Sequence, residues 1–114
     1  MQYVRIVAKP TIDNPDAAPI LVDAIVDDTG RILGKHTLFG TFGSLERKED
    51  AFYPFTLDIS GKIDYGSDYD HGRFATFDLR DDKVIAERIL TYMSPGLGTQ
   101  RYRIKQIISL PAQS

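Results

Sequence analysis

The sequence contains no cysteine. That removes disulfide frameworks, thiolate zinc sites, iron–sulfur clusters and cysteine nucleophiles from consideration. Histidine is nearly as scarce, with His36 and His71 the only two. An excess of charge of one sign is also missing. The formal net charge of −2 supplies no global field to draw nucleic acid, so no nucleic-acid partner is expected. No window approaches ~18 consecutive apolar residues, the length a spanning helix needs. Residues 1–8 lack the apolar run of a secretory signal, and Arg5 interrupts them. These absences lead to the expectation of a cytoplasmic protein with no membrane partner.

What is present suits one folded unit. The 114 residues are 42% hydrophobic and 26% charged, an ordinary balance for a globular chain large enough to bury a core without staples. A single domain over 1–114 is expected. No internal repeat is read.

The stretch Ile20–Phe39 organises the reading. Both arms are β-branched and apolar, and Asp27-Asp28-Thr29-Gly30 between them is a turn signal. A three-residue loop, Asp28-Thr29-Gly30, places Gly30 where φ must be positive and sets Asp27 opposite Arg31. The same register sets Asp23 opposite Lys35 and, on the other face, puts Val26 by Ile32, Ala24 by Gly34, Val22 by His36 and Ile20 by Leu38. Shortening the loop by one residue would leave the charges unpaired.

Period-two alternation recurs along the chain. Val4, Ile6 and Ala8 share one face of a first strand over residues 2–8. Lys9 to Pro19 holds three prolines, two aspartates and an asparagine, and reads as a surface connection. Ser44 is placed to cap a short helical turn over 45–49. In the run from Phe52 to Ile63, Tyr53, Phe55, Leu57 and Ile59 share a side. Pro54 marks an edge or a strand start, and Gly61 a bend. Residues 73–79 resume strand character. Residues 84–93 fit two readings: a helix with Ile85, Ile89, Tyr92 and Met93 on one face, or a strand with Val84, Ala86, Leu90 and Tyr92 together and Arg88 misplaced. Strand-like neighbours on both sides favour the strand. In the last strand Tyr102, Ile104, Gln106, Ile108 and Leu110 line one face and Arg101, Arg103 and Lys105 the other. The expected fold is an all-β antiparallel meander of about six or seven strands, closed as a small barrel or packed as a sandwich. The alternative is an α+β fold with one helix near 82–93.

Chemistry-bearing patterns are sparse. The segment 64–72 gathers Asp64, Ser67, Asp68 and Asp70 with His71, Tyr65 and Tyr69. Its spacing is not that of a calcium loop, and no bidentate glutamate follows. No metal or other cofactor is therefore expected. Tyrosines among acids suit a contact surface, since tyrosine brings area at little entropic cost. Tyr65, Asp68, Tyr69, Asp70 and His71 are the candidate ligand- or protein-binding residues. Gly96-Leu97-Gly98 lacks the lysine of a phosphate loop, and Gly43-Ser44 lacks the second glycine of a nucleophile elbow. The Arg101, Arg103, Lys105 stripe reads as a solvated or salt-bridged outer face. These features point to a non-enzymatic binding or interaction module, an inhibitor or immunity-type partner of another protein among the options. The alternatives are a barrel holding a small ligand or metal in its mouth, and, behind that, a small enzyme using His36 or His71. The sequence leaves the oligomeric state open.

Overall fold

The computed structural model describes residues 1–11, 18–43, 53–66, 73–95 and 98–110. Eight strands follow one another: β1 (Gln2–Pro10), β2 (Ile20–Val26), β3 (Leu38–Phe42), β4 (Tyr53–Leu57), β5 (Lys62–Asp64), β6 (Phe74–Phe77), β7 (Ile89–Ser94) and β8 (Gly98–Ser109). Each pairs antiparallel with the next, and β8 returns to pair with β1, closing an up-and-down barrel. Closure removes the exposed strand edges that would otherwise template pairing with other chains. The all-β meander read from the sequence is the fold, and the barrel is the form it takes. One run expected as a single strand, 52–63, is divided by a turn at 58–61 into β4 and β5, which raises the strand number to eight.

Alternation decides what faces inward. Along β2, Ile20, Val22, Ala24 and Val26 are buried, while Leu21, Asp23 and Ile25 between them are half-exposed. Val4, Ile6 and Ala8 of β1 join them as anticipated, with Leu57, Ile63, Leu90 and Ile104 from the far wall. Each fully buried Leu, Ile or Phe side chain contributes roughly 1.5–3 kcal/mol relative to exposure. Charged side chains alternate outward: Arg5 donates to Asp23 across β1 and β2 at 2.8 and 3.1 Å. Glu87 takes Arg103 and Lys105 at 3.5 and 3.8 Å, so two members of the basic stripe are salt-bridged on the outer wall.

Antiparallel neighbours place the connections at two ends. The lower end carries the β2–β3, β4–β5 and β6–β7 connections, and the upper end the other four. At the lower end two turns are built alike. In the first, Asp27 N–H donates to the Arg31 carbonyl and its Oδ1 accepts from Thr29 N, Thr29 Oγ1 and Arg31 N. In the second, Asp58 does the same with Lys62 and Ser60. Gly30 and Gly61 occupy the position of positive φ, at +88° and +87°. The pattern Asp-x-(Thr/Ser)-Gly-(Arg/Lys) therefore occurs twice, a local repetition the sequence reading passed over.

The three-residue loop at 28–30 is present, and Val26 bridges Ile32 as expected. Beyond Leu33 the anticipated register fails. Gly34 turns the chain outward at φ +80°, and pairing resumes with Val22 opposite Gly40 and Asp23 opposite Phe39. Lys35 and His36 are exposed on this excursion, and the partner of Asp23 is Arg5. Residues 82–93 contain no helix; after a single 3-10 turn at Leu79–Asp81 the chain runs irregularly to Ile89. Arg88, the misfit of the strand reading, explains why β7 starts late. Its guanidinium donates to the carbonyls of Asp78, Leu79, Asp82 and Lys83 at 2.8, 3.0, 2.9 and 3.1 Å. A last correction concerns β8. Its pairing with β1 slips between Val7 and Ala8, so the alternation flips past Ile104 and turns Gln106 and Ile108 to the outer face. The helical turn expected after Ser44 lies outside the described residues.

Candidate functional site

The interior is not uniform. Most of it is aliphatic, and one part is a cluster of rings with polar tips, in which Tyr65, Tyr92 and Tyr102 pack with Phe42, Phe55 and Phe77. Strand pairing explains the gathering. Ile20, Phe42 and Tyr53 form one inward row across β2, β3 and β4. Phe77, Tyr92 and Gln100 form another across β6, β7 and β8. Ser94, two residues beyond Tyr92, and Tyr102, two beyond Gln100, keep the same face. Ile63 points inward from β5, and Tyr65 two residues later follows it.

These side chains touch. The hydroxyls of Tyr65 and Tyr92 share a hydrogen bond of 2.8 Å. Tyr102 donates to Gln100 Oε1 at 3.4 Å. The Tyr92 ring meets Tyr102 edge-on at 6.0 Å and stacks on Phe42 at 6.3 Å, while Tyr65 meets Phe55 edge-on at 5.6 Å. Tyr92 and Tyr102 are 2% and 1% exposed, so their hydroxyls sit in a dry, apolar setting. Burial, with a smaller contribution from neighbouring Tyr92, pushes the Tyr102 phenol far above the usual tyrosine range. It stays protonated, able to donate, at any ordinary pH. A glycine makes the arrangement possible. A Cβ on Gly40 would lie 2.6 Å from Phe55 Cζ, so only glycine lets that ring lie flat against β3 beneath Tyr65.

Residues 64–66 are joined to Arg73 across the β5–β6 connection. Arg73 donates to both Asp64 oxygens at 2.9 and 3.2 Å, Gly66 N donates to Asp64 Oδ1 at 2.8 Å, and Tyr65 N to the Arg73 carbonyl at 2.9 Å. The Arg73 guanidinium holds the Asp64 carboxyl below the usual range. With both oxygens engaged in that clasp, Asp64 is committed to a cation of its own chain. Among the described residues no group of three acidic or histidine side chains converges on a point where a metal would sit.

Of the residues picked from the sequence, Tyr65 belongs to this upper end. Its ring packs inside the barrel, edge-on to Phe55, with its hydroxyl on that of Tyr92. Asp68, Tyr69, Asp70 and His71 lie outside the described residues. His36 is exposed at the opposite end, where its carbonyl accepts from Arg80, so it does not join Val22 on an inner face. Sequence reasoning missed Tyr92, Ser94, Gln100 and Tyr102 as a group. The available signal was polar residues at the inward period of two adjacent strands, and only the β7–β8 register joins them. No family model, curated protein or solved structure matches this chain. The functional reading rests on its own geometry.

Proposed function

We propose that this chain is a non-enzymatic binding module that holds a small ligand in the upper mouth of its barrel. The observation that carries the reading is the cluster of polar tips in an otherwise apolar interior. Hydroxyl and amide groups inside an apolar core are costly unless satisfied, and the interior brings Tyr65 to Tyr92 and Tyr102 to Gln100 by hydrogen bonds. Apolar walls with a few convergent polar groups are what small-molecule sites are made of, and barrel mouths are a preferred place for them. At the lower end Arg88 binds the Asp78 and Leu79 carbonyls, and Val84 N donates to the Gly30 carbonyl at 2.7 Å.

A protein partner approaching over the same end is the second reading. The Asp64–Arg73 clasp supports it, because it fixes both ends of the segment that carries Asp68, Tyr69, Asp70 and His71. Native mass spectrometry of untreated protein separates the two. The ligand reading expects a small non-covalent adduct that Tyr92→Phe no longer retains. A stoichiometric protein partner retained equally by wild type and Tyr92→Phe would replace it with the second.

A further inference from the structure

We infer that the β6–β7 connection is a strap, residues 79–87, that lifts off the lower end of the barrel as one body, hinged at Glu87, while the wall stays folded. The inference stands apart from the small-ligand reading. All three lower connections are described, and this one does more than join two neighbouring strands. In a closed ring of eight strands, the β2–β3 and β6–β7 connections stand opposite each other. The strap crosses between them: Val84 N donates to the Gly30 carbonyl at 2.7 Å, and Arg80 reaches the carbonyls of His36 and Leu57. Leu79 and Val84, both buried, join the core from this segment and cover it from below.

The strap holds its own shape. The Arg88 guanidinium gathers the carbonyls of Asp78, Leu79, Asp82 and Lys83, and Asp81 N donates to the Asp78 carbonyl at 3.1 Å. Its feet are fixed to the wall, Asp78 on Thr91 and the Arg88 carbonyl on Ile104 N. Between the feet its ties to the wall are few. Besides the Val84 and Arg80 contacts they are Glu87 N to the Ile104 carbonyl at 2.8 Å and exposed ion pairs, which count for little. The closed position also carries two costs. Glu87 has a φ of +71°, the only positive value outside glycine among the described residues. Arg80 Nε is buried without a partner. A side chain at such a φ and an unpaired buried donor are both unfavourable. Lifting relieves both, since Glu87 rotates out of the left-handed region and Arg80 reaches water. Strained segments with few outside ties are the ones that open locally, ahead of global unfolding.

Hydrogen exchange of the full-length protein, followed amide by amide at pH 7, tests this without any substitution. The Val84 and Glu87 amides are expected to share one protection, at least about tenfold below that of the β1–β2 ladder amides. Their exchange should also depend less on urea, because lifting the strap exposes less surface than unfolding does. Two variants then address the hinge. Glu87→Gly and Glu87→Ala both lose the ion pairs, but only glycine escapes the penalty at positive φ. Val84 is expected to exchange about three- to tenfold more slowly in Glu87→Gly than in Glu87→Ala. Val84 protection within about tenfold of the ladder amides, or unrelated protections at Val84 and Glu87, would overturn the strap as a separate body. A difference below about threefold between the two variants would overturn Glu87 as its hinge.

Discussion

Replacing Gly40 with alanine tests the link between barrel packing and the upper mouth. The new Cβ would lie 2.5 Å from the Leu21 carbonyl oxygen and 2.6 and 2.8 Å from Phe55 Cζ and Cε1. Ordinary contact begins near 3.4 Å, so these neighbours must retreat by 0.6 to 0.9 Å. Neither can do so alone. The carbonyl belongs to β2 within the β2–β3 ladder, and the Phe55 ring is 4% exposed and held edge-on against Tyr65. Overpacking of this kind costs about 3 kcal/mol, at the upper end of the usual range because one clash is with backbone. Restricting the unfolded chain returns roughly 0.7 kcal/mol. The net loss is about 2 kcal/mol, or a fall in Tm of about 8–10 °C for a domain of this size. Urea unfolding followed by circular dichroism measures it. Phe55→Leu in the same background is expected to recover part of the loss, with a coupling of about 1 kcal/mol. A Tm change below about 3 °C, or strictly additive variants, would refute the close packing of Phe55 on β3.

Arg88→Ala removes four carbonyl contacts at the lower end and is expected to destabilise by about 2–4 kcal/mol, with Arg88→Lys recovering less than half, because an ammonium cannot span the guanidinium's fork. Asp27 and Asp58 are held below the ordinary carboxylate range, first by the Thr29 and Ser60 hydroxyls and then by the Arg31 and Lys62 amides. A depressed folded pKa gives stability that is complete above the unfolded value of about 3.9 and is lost as pH falls through the folded one. Asp27→Asn with Asp58→Asn should therefore flatten the fall of Tm below about pH 4, and an unchanged acid limb would count against the turns. Across the half-exposed Arg5–Asp23 pair a double-mutant cycle should return a few tenths to about 1 kcal/mol, whereas Asp23 and Lys35 should show no coupling.

Period two in the sequence carried much of this fold, since burial along β2 follows it residue by residue. Turn chemistry was equally legible at Asp27–Arg31, where glycine and aspartate occupy positions that a three-residue loop demands. What escaped are events that alternation cannot register. Gly34 inserts an excursion after two correctly matched pairs, which shifts every later pair of the hairpin. The slip between Val7 and Ala8 reverses the faces of β8 while leaving its local pattern intact. Arg88 looked like an error in a strand because its partners are backbone carbonyls, which no side-chain pattern reveals. At the mouth, Tyr65 stood out for lying in a polar segment, yet its partners come from β4 and β7. Only the closed strand order brings those partners together.

We propose that binding occurs at the upper mouth and not on the outer wall. It is tested most directly by screening a small-molecule fragment library against isotope-labelled protein and mapping the amides that respond. The outer wall offers the competing surface, with Tyr3 52%, Ile108 43% and Leu33 37% exposed around Ile25. Responding fragments are expected to converge on Phe42, Gly66, Tyr92, Ser94 and Gln100, with Tyr92→Phe reducing their number. Fragments converging instead on Tyr3, Ile25, Leu33 and Ile108, indifferent to Tyr92→Phe, would contradict it.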